Sequence, residues 1–305
     1  MQGGAPSDPG QLPPFPVIVG VPRSGTTLLR MMLDSHSELA IPPETGFLLD
    51  DRIAGSSLGP RETAREMTQF PRQAPAWGDF GIDADEFLNK AEALNPEGAP
   101  GDVLRLFYRM YATKHGKPRT GDKTPGYVNA MNTVARLMPE ARFIHIIRDG
   151  RDVALSWRKT WFAPSDDIAT LVRTWTDTIL GARESAARLH YKEVFYADLV
   201  RDPAAVLQDL CEFVDLRYEP SMLQYYTRSP QRLTEHKARY GMDGTLVVSH
   251  DTRIVQQQNT MKPILPRDGV WRREMKPHDL SRIDPVSMSL LEEIARTSML
   301  LRSGR

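Results

Sequence analysis

The chain has little cysteine, no long hydrophobic run and no surplus of charge of either sign, and each shortage removes a class of protein. Cys211 is the one cysteine in 305 residues, so neither an internal disulfide nor a thiolate metal cluster is open to it. Lysine plus arginine and aspartate plus glutamate each number 39. Proteins that coat nucleic acid or anionic membrane carry a basic excess, so neither partner is expected. The apolar segment Pro16-Val17-Ile18-Val19-Gly20-Val21 is far too short to span a bilayer. Residues 1–16 lack lysine, arginine and the apolar stretch of a secretory signal. Residues 1–15 therefore read as a disordered lead-in, and the protein as cytoplasmic. The seven histidines fall at no metal-ligand spacing, so no metal is expected.

What is present is an ordinary globular balance, 40% apolar, with 24 prolines and 21 glycines marking many loops. Val17-Ile18-Val19 is apolar and β-branched at every position, as suits a strand buried on both faces. A glycine-rich turn follows, then a helical pattern through Asp34. The same order recurs downstream. Residues 142–148 form a second apolar strand that turns through Asp149-Gly150 into a helix, and residues 193–197 read as a third strand after a long helix over 168–189. Strands separated by helices predict an α/β fold, a three-layer sandwich with a central parallel sheet flanked by helices. Residues 45–118 read as short helices joined by proline loops, residues 227–276 as mostly irregular, and residues 284–302 as a closing helix. No linker divides residues 16–305, which are expected to form one domain.

Gly20-x-x-x-x-Gly25-Thr26-Thr27 has P-loop spacing, in which glycines let backbone N–H groups turn toward a phosphate at a helix N-terminus. The lysine of nucleotide hydrolases is replaced by Thr26, and the positive charge has moved into the loop as Arg23.

Val21-Pro22-Arg23-Ser24-Gly25-Thr26-Thr27-Leu28-Leu29 resembles the 5′-phosphosulfate loop of sulfotransferases that use 3′-phosphoadenosine 5′-phosphosulfate (PAPS). Residues 143–156 resemble that family's 3′-phosphate segment, which places the 3′-phosphate on Arg148 at the strand end and Ser156 eight residues on; a guanidinium and a hydroxyl make a sensible phosphate clamp. Around the loop the likeness is greatest to the tyrosylprotein sulfotransferases, where Met32-Leu33-Asp34-x-His36 and Glu44-Thr45 recur at the same intervals; their proposed base falls on Glu44. Looser matches are Asp122-Lys123-Thr124-Pro125 with a catalytic-lysine segment, Phe195-Tyr196-Ala197-Asp198 with a tyrosine-bearing third strand, and Met261-Lys262-Pro263 with a late nucleotide loop.

The resemblance implies PAPS as co-substrate and sulfuryl transfer to a hydroxyl on a small molecule, lipid, glycan or tyrosyl peptide. It gives Glu44, Arg23 and Lys123 catalytic roles, and cofactor-binding roles to Arg23, Ser24, Gly25, Thr26, Thr27, Arg148, Ser156, Tyr196 and Lys262. It thins between residues 48 and 119, on the side where the acceptor is expected.

Plain structural readings stand beside these. Glu44 after Pro42-Pro43 reads also as a solvated loop carboxylate, Lys123 as a turn residue, and Arg148 as a partner of Asp149 or Asp152. His36 and His145 read as structural, Met31 and Met32 as core filler. Trp77, Phe80, Trp161 and Phe162 read as packed side chains or as the lining of an acceptor pocket. A P-loop kinase is the rival function, with Asp149 as the metal-holding acid it would require; a non-catalytic nucleotide binder is the third. A homodimer is left open, without the Lys-Thr-Val dimer motif of cytosolic sulfotransferases near the C-terminus.

Overall fold

The computed structural model describes residues 12–55, 58–95, 100–160 and 162–303, with the side chains of 299–303 excepted. Most of the expected N-terminal lead-in, and Trp161, lie outside the described residues. Four parallel strands form the central sheet in the spatial order Asp122–Lys123, Phe15–Val19, Ala141–Ile147 and Tyr191–Phe195. In chain order these are β1 (Phe15–Val19), β2 (Asp122–Lys123), β3 (Ala141–Ile147) and β4 (Tyr191–Phe195).

All five residues of β1 are buried because the sheet is covered on both faces. Successive side chains of a strand point to opposite faces. Accordingly Val17, Val19 and Phe143 join the core built with residues 47–112, whereas Ile18, Ile144 and Ile146 join the core under the helix after β1. The expected three-layer α/β sandwich is therefore the observed architecture.

Register positions the site. Val17 lies opposite Phe143 and Val19 opposite His145, so the loops that leave β1 and β3 emerge side by side. The sheet continues on the other side of β1, where Ile18 pairs with Lys123. The chain thus runs outward from β1 in both directions, and such a switch point leaves a crevice at the carboxyl ends of the strands. Helix α1 (Thr26–Asp34) follows β1, α2 (Gly150–Trp157) follows β3, and α3 (Ile168–Ala186) returns to β4. A Cβ on Gly150 would come within 2.6 Å of the Trp175 ring, so glycine is what lets α2 and α3 pack this closely. The Trp175 indole N–H also donates to the Arg148 carbonyl at 3.1 Å, fixing the strand end that carries the arginine.

Three expectations need correction. The lead-in ends earlier than expected, since β1 begins at Phe15. The last strand is Tyr191–Phe195 rather than 193–197, and Tyr196 opens a short helix, Tyr196–Arg201; pairing starts where Tyr191 meets Phe143, and strand propensity alone could not locate that point. The segment after residue 227 is not mostly irregular: it holds helices Tyr225–Leu233 and His250–Gln257 and a hairpin pairing Arg239–Tyr240 with Leu246–Val248. The closing helix runs over Pro285–Ser303.

Candidate active site

The loop after β1 is shaped by two glycines and one strained arginine. Gly20 has φ 147° and Gly25 φ 105°, values that favour glycine. A Cβ on Gly20 would meet the Ile146 carbonyl at 2.7 Å, and one on Gly25 would meet the Tyr196 ring at 2.7 Å. Arg23 adopts φ 74°, a left-handed conformation uncommon for a side chain of its size. Gly25 stands at the N-cap of α1, no side chain caps the helix, and its first turn holds no acid. The first N–H groups of a helix have no intrahelical acceptor, so this end is open to an anion.

The two sequence motifs meet here. Arg23 Nε donates to Ser156 Oγ at 3.1 Å, joining the loop to α2. The Arg148 guanidinium donates toward the Arg23 carbonyl at 3.5 Å, lies 4.6 Å above the Tyr196 ring and is 3.6 Å from Asp152; its Nε is buried with no partner. Desolvation and then the Arg148 charge lower the Arg23 pKa, while Glu44 opposes them. Two guanidiniums held together in this way leave a deficit of negative charge for a ligand to fill. A cavity of about 150 Å³ is lined by Gly25, Thr26, Thr27, Arg148, Ser156 and Tyr196 among others, and a neighbouring one of about 620 Å³ by Arg148, Ser156, Lys159, Arg267 and Arg273 among others.

Ser24 is buried with an unpartnered hydroxyl. Lys262 is not brought to these cavities: its side chain is exposed, and its carbonyl accepts from Tyr225 OH at 2.8 Å. Arg267 lines both instead, from a loop anchored where Asp152 accepts the Gly269 and Trp271 amides at 2.8 Å each. Arg267 was missed because loop 262–271 carries no periodicity, whereas Asp152, weighed above as a partner of Arg148, does lie 3.6 Å from it.

On the other side of Arg23, Lys123 Nζ donates to Glu44 Oε1 at 2.5 Å. Lys123 is buried at the end of β2, whereas about half of the Glu44 side chain, 50%, is open toward a cavity even though protein surrounds the rest. Burial pushes the Glu44 carboxyl upward, but the Lys123 charge and hydrogen bond, with Arg239 and Arg253 beyond, outweigh it and hold the carboxyl below its usual range. Burial lowers the Lys123 ammonium against the pull of Glu44. A polar core fixes both loops. Thr45 Oγ1 donates to Asp122 at 2.7 Å, Tyr108 OH to the same oxygen at 2.9 Å, and the Thr45 amide to Thr124 Oγ1 at 3.2 Å. Lys123 is thus a strand residue rather than a turn residue, and Glu44 is not merely solvated.

The cavity beside Glu44 is about 420 Å³, floored by Arg23, Thr26 and Glu44 and walled by Phe70, Phe162, His236, Arg239 and Arg253 among others. Of the aromatic residues weighed above, Phe162 lines it. Trp77 and Phe80 instead pack with Phe47, Phe87 and Phe107. His236, Arg239 and Arg253 come from a segment that sequence reasoning passed over. Buried Asp79 gathers it, accepting from Arg239 at 2.9 Å and from both terminal nitrogens of Arg253 at 2.8 and 2.7 Å.

Other expectations settle simply. His36 bonds the Arg217 carbonyl at 2.8 Å, and His145 Nδ1 bonds Tyr191 OH at 2.6 Å while its other nitrogen lacks a partner, so His145 is a core histidine only half satisfied. Met31 and Met32 are buried in the core. Cys211 is buried against Met222, and burial pushes its thiol up to about 11. Asp149 caps α2 and both its oxygens are held by Arg151, at 2.9 and 2.6 Å. Among the described residues no helix is long and apolar enough to cross a membrane, and no group of three or more His, Cys, Asp or Glu is placed to hold a metal ion.

The chain is 28% identical over 225 residues to protein-tyrosine sulfotransferase A of Caenorhabditis elegans, covering 70% of this chain and 52% of that one. It is 26% identical over 236 residues to the nodulation protein NoeE of Sinorhizobium fredii, with the same coverage. The chain thus spans about half the length of these curated relatives. In fold it is similar to the sulfotransferase domain of the Synechococcus PCC 7002 olefin synthase, with a TM-score of 0.64 at 23% identity, covering 97% of this chain and 98% of that one. The sequence model of the Sulfotransferase family matches residues 14–220, a span that holds the loop, Glu44, Lys123 and the Arg148–Ser156 clamp, and the chain belongs to that family.

Proposed function

We propose that the protein transfers the sulfuryl group of PAPS to a hydroxyl acceptor by in-line displacement. The observation that carries this reading is the position of Arg23. It touches Ser156 on the side of the phosphate clamp and lines the cavity that holds Glu44 on the other. One nucleotide lying along the loop would present its terminal group to that cavity.

In the proposed reaction the acceptor oxygen attacks sulfur as the bond from sulfur to the 5′-phosphate oxygen breaks. The hydroxyl proton passes to Glu44, and adenosine 3′,5′-bisphosphate departs with the bonding electron pair. Sulfuryl transfer, like phosphoryl transfer, needs alignment and neutralisation of the leaving group more than covalent help. Arg23 and the first amides of α1 supply part of that neutralisation. Lys123 supplies the rest if it turns from Glu44 to the bridging oxygen as charge develops there. That exchange also frees the carboxylate to accept the proton.

The rival kinase reading is weakened by Thr26 in place of the P-loop lysine and by the engagement of Asp149 with Arg151. Thermal stabilisation separates the two. Adenosine 3′,5′-bisphosphate without magnesium is expected to raise the melting temperature and Mg-ATP to leave it unchanged; the reverse pattern would refute sulfuryl transfer. A further expectation is that Arg148→Ala weakens bisphosphate binding by about 10- to 100-fold in calorimetry, the worth of a charged hydrogen bond. Unaltered affinity would remove Arg148 from the clamp.

A tyrosyl peptide is the acceptor favoured by the relatives named as protein-tyrosine sulfotransferases. Incubation with labelled PAPS and a set of tyrosyl peptides, lipids, glycans and small alcohols tests it: label on a compound without tyrosine, and none on the peptides, would overturn it.

A further inference from the structure

Two residues that line the cavity beside Glu44 each carry a buried hydrogen-bond donor with nothing to donate to. His236, 6% exposed, and Arg239 both line that cavity, and His236 Nε2 and Arg239 Nε are buried without a partner. Buried polar atoms in native proteins are nearly always paired, so two such donors on one cavity wall call for an acceptor atom from a ligand.

The state of the imidazole follows from its other nitrogen. Arg253 Nη2 lies 2.9 Å from His236 Nδ1. A guanidinium has donors and no acceptor, so Nδ1 accepts and the ring proton sits on Nε2. Arg253 is itself held by both oxygens of Asp79, and His250 bonds the His236 carbonyl at 2.6 Å, so the ring is built in from both sides. The surroundings keep it uncharged: burial first, then Arg30, Arg253, Lys123 and Arg239, push its pKa down to about 2. A ring that already carries a proton on the free nitrogen, among four cations, is no base.

We propose that His236 is a specificity-determining residue, fixed as the Nε2–H tautomer so as to donate a hydrogen bond to an oxygen of the bound acceptor other than its attacking hydroxyl. Arg239 Nε supplies a second donor beside it. This rests on the sulfuryl-transfer reading and adds that the favoured acceptor carries a carbonyl or similar oxygen besides its reactive hydroxyl, as the backbone of a tyrosyl peptide does. Glu44 remains the base, and His236 distinguishes such acceptors from plain alcohols.

The test compares N-acetyltyrosine methyl ester, which has carbonyl oxygens, with 4-propylphenol, which lacks them. In the wild type kcat/KM should favour the ester. In His236→Leu that preference should fall about tenfold, the effect of one hydrogen bond to a buried donor, while His236→Gln, which keeps an N–H, should retain most of it. Bisphosphate affinity, measured by calorimetry, should be the same in all three. A structural role would lower both rates together and leave the ratio unmoved, which would overturn the proposal. Gln behaving like Leu would also overturn it.

Histidine ¹⁵N NMR reads the tautomer without any acceptor. The signals lost in His236→Gln should show an accepting Nδ1 and a protonated Nε2 throughout about pH 5.5 to 8. A proton on Nδ1, or titration within that range, would overturn the assignment. A wild type that neither binds the bisphosphate nor uses PAPS would refute sulfuryl transfer, a failure the tautomer measurement does not share.

Discussion

Glu44→Gln is expected to lower kcat by about 10²- to 10⁴-fold, the usual contribution of a positioned base, with little change in bisphosphate affinity. The amide keeps the shape of the carboxylate and still offers Lys123 an oxygen, so the loop held by Thr45, Asp122 and Thr124 should stay in place. Removing one partner of a fully buried ion pair costs about 3–5 kcal/mol. Here the loss of stability should be smaller, because half of the Glu44 side chain is exposed. Transfer of label from PAPS and calorimetry with the bisphosphate separate the two effects. Wild-type turnover in the variant would place the base elsewhere, and a parallel loss of nucleotide binding would make Glu44 a structural residue.

Lys123→Met should lower kcat by about 10²- to 10³-fold, the range found when one donor to a developing negative charge is removed. It should also move the acid limb of the pH profile, and the sign can be worked out. With Lys123 present, Glu44 is held below the ordinary carboxylate range and stays ionised as pH falls into that range. Without Lys123, burial pushes the carboxyl upward against the remaining charges of Arg239, Arg253 and Arg23. Glu44 then takes up a proton at higher pH, and kcat/KM begins to fall at higher pH than in the wild type. A limb that stays put or moves to lower pH would mean that the observed ionisation is not that of Glu44. The two substitutions touch one hydrogen-bonded pair, so their effects should not add.

Parts of this site are legible in the sequence because they are local. A β-branched strand, a glycine turn and a helix are neighbours in the chain, and the spacing of Gly20 and Gly25 carries the backbone conformation with it. The same holds for Arg148 and Ser156, which a strand end and one helix bring together. Lys123 was harder to place. Its strand has only two residues, Asp122 and Lys123, too few for any alternating pattern, and it exists because Val17 and Ile18 offer an edge to pair with. Lys262 was placed wrongly in space: loop 262–271 is anchored through Asp152, so it turns Arg267 toward the cleft instead.

The wall of the cavity beside Glu44 was not legible at all. His236, Arg239 and Arg253 stand in a polar segment of short elements, and the residue that gathers two of the three is Asp79, more than 150 positions earlier. By itself the sequence determined the α/β class and the glycine loop at the start of a helix, because strand and turn chemistry act between near neighbours, and resemblance to a family pointed to Arg148, Ser156 and Glu44. The tertiary structure alone decided that Lys123 reaches Glu44, that Arg23 joins the two cavities, and that His236 lines the cavity beside Glu44. Those contacts depend on register and on buried charges drawn together across the chain, where the energy lies in pairing rather than in local pattern.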